Sequence, residues 1–543
     1  DDEGVFTVWH ELNDGALWLY AETEASTAID LDLYVGIDLN GNGRADESER
    51  LCTSITEDDL ERCDLYNLAP GNYWILVQNY LKSEQDGDEA TLRHAAVVAG
   101  DNLSLAASGP GITELQETFD VRLSWDNLAA TPGEQWLGAV GVSSDKDTPN
   151  NIGVIPVTFN RSGISAAATF PLVDGRAHTL AIDANSTHDR MFIDLPPGAT
   201  SLSITANRFD AEQNAGLNLE LKRLDFEDAL SNPPFATPPG NAPVVASTQG
   251  VNGQELKVTV DISAYEPGRW YAVLSNDIDF PDSVEIRADV EFQGDPLPIH
   301  RGLWEPNSRP GINQGYEYHD YENNPDRFLI WYTFDEEGQP IWFWSQAPDV
   351  AGNIWSSDVF RLTNDGESQQ LAPVGYLSVT TLAEDDALFS FTLYGQSGSD
   401  RLQPLSLNTC PEVNGSARSY TGQWFPGFAG LGGASIIMNA QTQAQIHYIY
   451  DDSGESRWLV AQDVENPEPT NPEMPFLQFS GFCSTCPTIP TSYEPVGMLE
   501  RSFSSETEGS WTLDYLLLPP LSGSAQRTDQ TLKLTQSLVC EQP

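Results

Sequence analysis

The chain has 543 residues, 81 of them acidic against 26 basic, for a formal net charge of −55. A surface this negative repels nucleic acid and anionic lipid, so neither is expected as a partner. A hydrophobic content of 40% excludes a disordered acidic chain, and no run of about 18 apolar residues offers a membrane-spanning helix.

At ~100–200 residues per domain, the length implies three to five domains. The acidity attracts divalent cations. It fits a salt-adapted protein, and equally a secreted one whose negative face prevents aggregation. The chain opens on Asp1-Asp2-Glu3, without an initiator Met or a signal-peptide pattern, which reads as a processed or trimmed terminus. Six cysteines imply three disulfides and an oxidising, extracellular setting. Cys52 and Cys63 close a short loop. Cys483-x-x-Cys486 lacks the βαβ context of a redox site, and pairing it within itself leaves Cys410 with Cys540. The connectivity of these last four stays open at this point.

Period-2 alternation of apolar and polar residues dominates, with Gly, Pro, Asn and Asp turns between short runs, so the fold class is all-β. The first unit, 1–98, carries Leu31-Asp32-Leu33-Tyr34-Val35 and, later, Pro70-Gly71-Asn72-Tyr73-Trp74. Between them runs Asp38-Leu39-Asn40-Gly41-Asn42-Gly43-Arg44-Ala45-Asp46-Glu47-Ser48-Glu49. This fits the twelve-position EF-hand calcium loop. Asp38, Asn40, Asn42, Asp46 and Glu49 offer side-chain oxygens, and Arg44 offers its backbone carbonyl. Gly41 stands at the sixth position, where the chain turns with φ > 0. Such a hard oxygen shell suits Ca²⁺ better than Mg²⁺. Strand residues rather than helices flank it, which points to a structural ion, not a sensor. The bland alternative is an Asp/Asn/Gly-rich solvated turn.

Next, 99–165 carries Phe119–Trp125 and Gly153–Phe159, expected as strands of a small immunoglobulin- or fibronectin-like domain. Asp145, Asp147 and Asn150 share one of its turns. The 166–294 unit repeats the first: Leu217–Leu221 matches Leu31–Val35, and Pro267-Gly268-Arg269-Trp270-Tyr271 matches Pro70–Trp74. Its counterpart of the calcium loop holds Pro233, Pro234, Pro238, Pro239 and Pro243 instead of ligands. Prolines limit the entropy of the unfolded loop, so the ion and the Cys52–Cys63 bridge look like the first copy's staples. Asp277, Asp279 and Asp282 share another acidic turn. Both acidic turns are read as solvated.

Segment 295–543 is a further duplication, about 299–410 and 420–540. Gly302-Leu303-Trp304 recurs as Gly422-Gln423-Trp424, Trp331–Trp342 as His447–Trp458, and Pro373-Val374-Gly375 as Pro495-Val496-Gly497. It is expected to form a single pseudo-twofold barrel or sandwich module, its ends tied by Cys410 and Cys540. Recurring tryptophans suit the core. Trp344 and Trp355 lack clear partners and are the candidates for surface stacking on sugars or proteins. His319, with Asp320 and Glu322, falls in a polar insertion, Tyr316–Asp326, expected as a surface loop.

The motifs around Asp30–Val35 and Leu68–Trp74 resemble the bacterial pre-peptidase C-terminal domain, a small β-sandwich of secreted proteases. Gln135–Val140 through Asn151–Val157 is similar to the fibronectin-like segment following the catalytic domain of subtilisin-like proteases. The C-terminal repeat is similar to a β module of secreted proteobacterial proteins. No Asp-Thr-Gly, His-Gly-Thr or Gly-Thr-Ser-Met box is present, nor any other catalytic motif. The resemblance therefore implies a non-catalytic accessory region of a secreted protease, for attachment, secretion or stability, meeting a protein substrate or a cell surface. The alternatives are a self-assembling surface or filament protein and an array of carbohydrate-binding modules.

Overall fold

The computed structural model describes residues 4–537 and 540, apart from 25, 85–86, 99–104, 114–117, 126–134, 146, 161–168, 210–212, 232–238, 308, 310–313, 322–323, 349–351, 367, 406–408, 428–431, 463–469, 485 and 487–490. Pro233, Pro234, Pro238 and Glu322 lie outside the described residues. The fold is all-β, and helix is limited to short turns such as the 3₁₀ turn Glu47–Glu49 and α1 (Phe226–Ala229).

One compact unit comprises 1–102 and 132–163. Its first seven strands are β1 (Val5–Leu12), β2 (Ala16–Glu24), β3 (Asp30–Ile37), β4 (Arg50–Ser54), β5 (Arg62–Leu68), β6 (Gly71–Leu81) and β7 (Thr91–Val97). They form a sandwich of two sheets, ordered β1-β6-β3-β4 and β5-β2-β7. Alternation sets the core: Leu31, Leu33, Val35, Tyr73, Ile75 and Val77 point inward from β3 and β6 against Leu19 and Ala21 of β2. The Cys52–Cys63 disulfide joins β4 to β5, and so one sheet to the other.

The 99–165 segment contributes strands to two places. β8 (Leu105–Ser108) pairs with β9 (Arg122–Trp125) within the second compact unit. The hairpin of β10 (Gln135–Val142) and β11 (Gly153–Asn160) lies against β2, β5 and β7 of the first.

The second compact unit comprises 103–131 and 164–543. It opens on a sandwich of β12 (Phe170–Pro171), β13 (Ala177–Ile182), β14 (Ser186–Leu195), β15 (Ala199–Arg208), β16 (Leu217–Leu224), β17 (Val244–Gln249), β18 (Lys257–Asp261), β19 (Gly268–Asn276) and β20 (Asp282–Phe292). Its sheets run β12-β14-β19-β16-β17 and β13-β20-β15-β18. Remove β12 and β13, and the order is that of the first sandwich. Register agrees as well, since Leu33 faces Val77 in one copy and Leu219 faces Leu274 in the other. The duplication seen in the sequence is thus a duplication of topology.

Each C-terminal repeat closes its own eight-stranded barrel, where a single module was expected. The first is β21 (Gly302–Pro306), β22 (Gly315–Asp320), β23 (Asp326–Phe334), β24 (Pro340–Pro348), β25 (Ile354–Asn364), β26 (Gln369–Ala383), β27 (Asp386–Leu393) and β28 (Gln396–Pro404). A small hairpin, β29 (Glu412–Val413) with β30 (Ser416–Ala417), leads into the second barrel. That barrel is β31 (Gly422–Phe425), β32 (Gly433–Met438), β33 (Gln443–Tyr450), β34 (Ser456–Ala461), β35 (Glu473–Ser480), β36 (Ser492–Phe503), β37 (Glu508–Leu516) and β38 (Ser524–Lys533). Closure is made by β21 on β28 and by β31 on β38. The Cys410–Cys540 disulfide brackets the second barrel, and Cys483 pairs with Cys486.

The repeated Pro-Val-Gly motif is a β-bulge. Register slips at Val359/Phe360 opposite Pro373–Gly375, and at Phe476/Leu477 opposite Pro495–Gly497. A Cβ on Gly375 would sit 1.8 Å from the Thr392 carbonyl oxygen, and one on Gly497 2.0 Å from that of Asp514. Only glycine admits that approach.

The barrels pack through the outer faces of β23, β24, β33 and β34, where Ile330, Tyr332, Trp342, Ile446 and Trp458 form a shared cluster. Equivalent residues meet reciprocally. Trp458 donates its indole N–H to the Thr333 carbonyl at 2.8 Å, and Trp342 donates to that of Ile449, the repeat counterpart of Thr333, at 3.4 Å. The pair is built like an isologous dimer carried on one chain.

Candidate metal centre

β3 delivers the loop. After Ile37 the Asp38 N–H still reaches the Asn72 carbonyl at 2.8 Å, then the chain leaves the sheet. Asp38 turns its carboxylate back on the loop, with Oδ1 accepting from the N–H groups of Gly41 and Asn42 at 2.7 and 3.1 Å, and Oδ2 from Gly43 at 2.9 Å. Gly41 and Gly43 both take positive φ, +70° and +67°, where an L side chain is strained. Asn40 Oδ1 accepts from Asn42 N–H at 2.9 Å, and Asn42 Oδ1 from Arg44 N–H at 2.8 Å. The Arg44 residue is exposed, as its backbone role allows.

Asp46 Oδ2 accepts from the side-chain amides of Asn40 and Asn42 at 3.0 and 2.8 Å. These two amides hold the Asp46 carboxyl below its usual range, that of Asn40 first. The ends of the loop meet at Glu49, in the 3₁₀ turn. Its Oε1 accepts from Leu39 and Asn40 N–H at 3.0 and 3.1 Å. Its Oε2 is buried and meets no hydrogen-bond donor. Glu49 is 5% exposed although the loop before it is largely in solvent.

All six sequence-selected residues therefore fold into one small loop. Among the described residues no three His, Cys, Asp or Glu side chains gather as a ready metal cage. In the loop the carboxylates grip N–H groups instead, and the amides of Asn40 and Asn42 present nitrogen toward Asp46. Oxygen and nitrogen of an amide exchange by a half-turn of the side chain. Turning both amides would bring their oxygens to the Asp46 carboxylate. The donor set is hard oxygen throughout, and a buried carboxylate oxygen without a donor is costly unless a cation meets it. The residues fit a calcium ion.

The weaker acidic turns close on themselves. Asp145 accepts from Asp147 N–H at 2.9 Å, and Asn150 takes φ +58°. Asp279 accepts from Asn185 at 2.9 Å, Asp282 pairs with Arg208 at 2.7 Å, and Asp277 is held by Asn218.

Two expectations from sequence, those for His319 and Trp355, are corrected. His319 is not on a surface loop. It stands on β22, is 2% exposed, and bonds Glu317 at 2.8 Å. Tyr316 and Tyr318 fill the barrel, so Glu317 and His319 face outward, where the second barrel covers them, with the Tyr332 hydroxyl 3.5 Å from Glu317. Trp355 is buried inside the first barrel and donates to the Ala347 carbonyl at 3.3 Å. Trp344 is half-buried with one face stacked on Phe328.

Sequence reasoning also passed over a polar cluster inside the second barrel. Arg501 donates to Gln445 at 3.0 Å and to Gln443, and Gln445 bonds His447 at 2.7 Å. Its signal lay in the repeat itself, because the first barrel carries Leu329, Trp331 and Val379 at the positions of Gln445, His447 and Arg501.

Compared with known families and with curated proteins, the chain matches no family model and no curated protein.

Proposed function

We propose that this chain is a non-catalytic extracellular scaffold whose first sandwich is stapled by a structural calcium ion, and that it serves as the accessory region of a secreted protease. The observation that carries the calcium reading is the buried, donorless Oε2 of Glu49 inside a loop of oxygen side chains. The three disulfides support an oxidising compartment, where millimolar calcium is at hand. No helix among the described residues is long and apolar enough to cross a membrane. The protease setting rests on the resemblance of the two sandwiches and of the 135–157 segment to the regions that follow secreted catalytic domains.

Calcium titration of the full chain tests the ion. Affinity is expected in the weak extracellular range, ~10⁻⁴–10⁻³ M. Intact-mass analysis of the secreted native product tests the setting. A catalytic domain covalently upstream supports it, and a product carrying none sinks it.

One observation favours self-assembly as a second reading. β1 is an edge strand whose Val5, Phe6 and Trp9 are 38%, 43% and 40% exposed. Exposed apolar edges template strand addition. Sedimentation across concentration decides it, and a strict monomer removes it.

A further inference from the structure

The two barrels differ at one seam of their walls. In the first, β24 runs on to Pro348 and β25 begins at Ile354, but the two strands pair only through Phe343–Arg361 and Trp344–Phe360. Beyond that point side chains reach across in place of the ladder. Ser357 donates its hydroxyl to the Gln346 carbonyl at 3.0 Å, and the Trp355 indole donates to that of Ala347 at 3.3 Å. In the second barrel the same seam stays paired further along. Ala461 pairs with Phe476, the counterparts of Ser345 and Val359. The Gln462 N–H, at the position of Gln346, then reaches the carbonyl of Pro475, at the position of Asp358, at 3.3 Å. Strands that splay in this way leave an opening between their edges where a closed wall would have backbone pairs.

A cavity of about 380 Å³ lies at the splayed seam. Gln346 of β24 and Ser356, Asp358 and Phe360 of β25 line it from the barrel, and the 173–176 turn between β12 and β13 closes it from the second sandwich. That turn is held firmly. Gly175 N–H donates to the Ala288 carbonyl at 2.8 Å, and Asp174 Oδ1 accepts from Val290 N–H at 2.8 Å. Arg176 donates to Asp358 at 2.6 Å and lies over the Tyr376 ring at 4.7 Å. Polar capacity is left over. Asp174 Oδ2 and the Ser356 hydroxyl meet no hydrogen-bond partner among the described residues. Burial raises the Asp174 carboxyl above its usual range.

The charges around the cavity select among ligands. A free cation entering it meets the Arg176 guanidinium, and a free anion meets the carboxylates of Asp174 and Asp358. A neutral molecule dense in hydroxyls uses both signs, donating to the carboxylates and accepting from Arg176 and Ser356. The half-buried Phe360 ring adds an apolar surface for one face of a sugar ring. The volume falls at the low end of the ~300–1,000 Å³ typical of small-ligand sites, which suits a mono- or disaccharide. We propose that the seam between β24 and β25, closed by the 173–176 turn, is a saccharide-binding site in which Asp174, Asp358, Arg176 and Ser356 take the hydroxyls. The proposal depends neither on the calcium loop nor on the protease setting.

Saturation-transfer NMR and calorimetric titration of the full chain with glucose, galactose, mannose, N-acetylglucosamine, maltose and cellobiose test it. Saturable binding of at least one of these sugars is expected. Asp174→Asn keeps an oxygen for the Val290 N–H but loses the carboxylate, and should weaken that binding by about tenfold or more. Ser356→Trp places an indole in the cavity and should abolish it. Melting without sugar checks that each variant folds, and Asp174→Asn decides alone should Ser356→Trp not fold. The proposal is overturned if none of the six sugars binds. It is also overturned if binding keeps the parent affinity in either variant while that variant is folded.

Discussion

The reciprocal tryptophans make the barrel interface testable to the level of one hydrogen bond. In Trp458→Phe the indole N–H that reaches the Thr333 carbonyl at 2.8 Å is lost. A net bond of this kind is worth about 1 kcal/mol. The smaller ring also leaves a void among Phe334, Phe479 and Tyr332, all of which contact the indole. Trp458 is 2% exposed, so the void cannot drain to solvent, and by analogy with other buried truncations it costs a further ~1–2 kcal/mol. The total is about 2–3 kcal/mol. Trp342→Phe removes the counterpart bond, which is longer at 3.4 Å, and should cost about 1 kcal/mol less. Urea unfolding of the full chain, followed by near-ultraviolet circular dichroism, reads both. Because the indoles share one cluster, either substitution should shift one transition that reports on both barrels. Separate transitions, with Trp458→Phe moving only that of the second barrel, would refute the fused-dimer account.

Further outcomes follow from the same structure. Gly497→Ala and Gly375→Ala should each lower the midpoint of the barrel transition by the equivalent of about 2 kcal/mol or more, because the added methyl meets a carbonyl oxygen at 2.0 and 1.8 Å. Gly395→Ala, with open space around its Cβ but φ +76°, should cost only its backbone strain, about 1 kcal/mol. His178, His188, His300 and His447 are held neutral chiefly by burial, with pKa values of about 3, 4, 4 and 3. The unfolded chain binds their protons near pH 6.5, so stability is full above that value and falls as pH drops toward 4. Each contributes about 3 kcal/mol by the lower end of that window. Denaturation midpoints that stay flat between pH 6.5 and 5 would contradict the burial of these imidazoles.

Much of this fold is legible from strand periodicity and repeats. Leu31–Val35 against Leu217–Leu221 aligns two sandwiches whose strand order and register agree. The Pro-Val-Gly repeat marks a bulge, and Cys52 pairs with Cys63 as its spacing suggests, while the other four cysteines, whose connectivity the sequence leaves open, pair as Cys410–Cys540 and Cys483–Cys486. Barrel closure is less legible, because the pairing of β21 with β28 depends on strand number and stagger, neither of which a local pattern encodes. Glu317 and His319 mislead for a related reason. Alternation with Tyr316 and Tyr318 correctly turns them out of the barrel, but the outside of that strand is another barrel rather than water. At the candidate metal centre the sequence supplies ligand types and the glycine turn. The burial of Glu49 depends on where β4 and the 3₁₀ turn seat it, and no spacing shows that.

Calcium dependence tests the central reading most directly. The full chain is melted in chelator and in excess calcium, beside Glu49→Gln. At calcium about a hundredfold above its dissociation constant, a bound ion adds ~2.7 kcal/mol to the unit it staples. One unfolding transition should rise with calcium in the parent chain and stay fixed in Glu49→Gln, which removes the orphaned carboxylate oxygen. Parent melts that superimpose with and without calcium would contradict the staple.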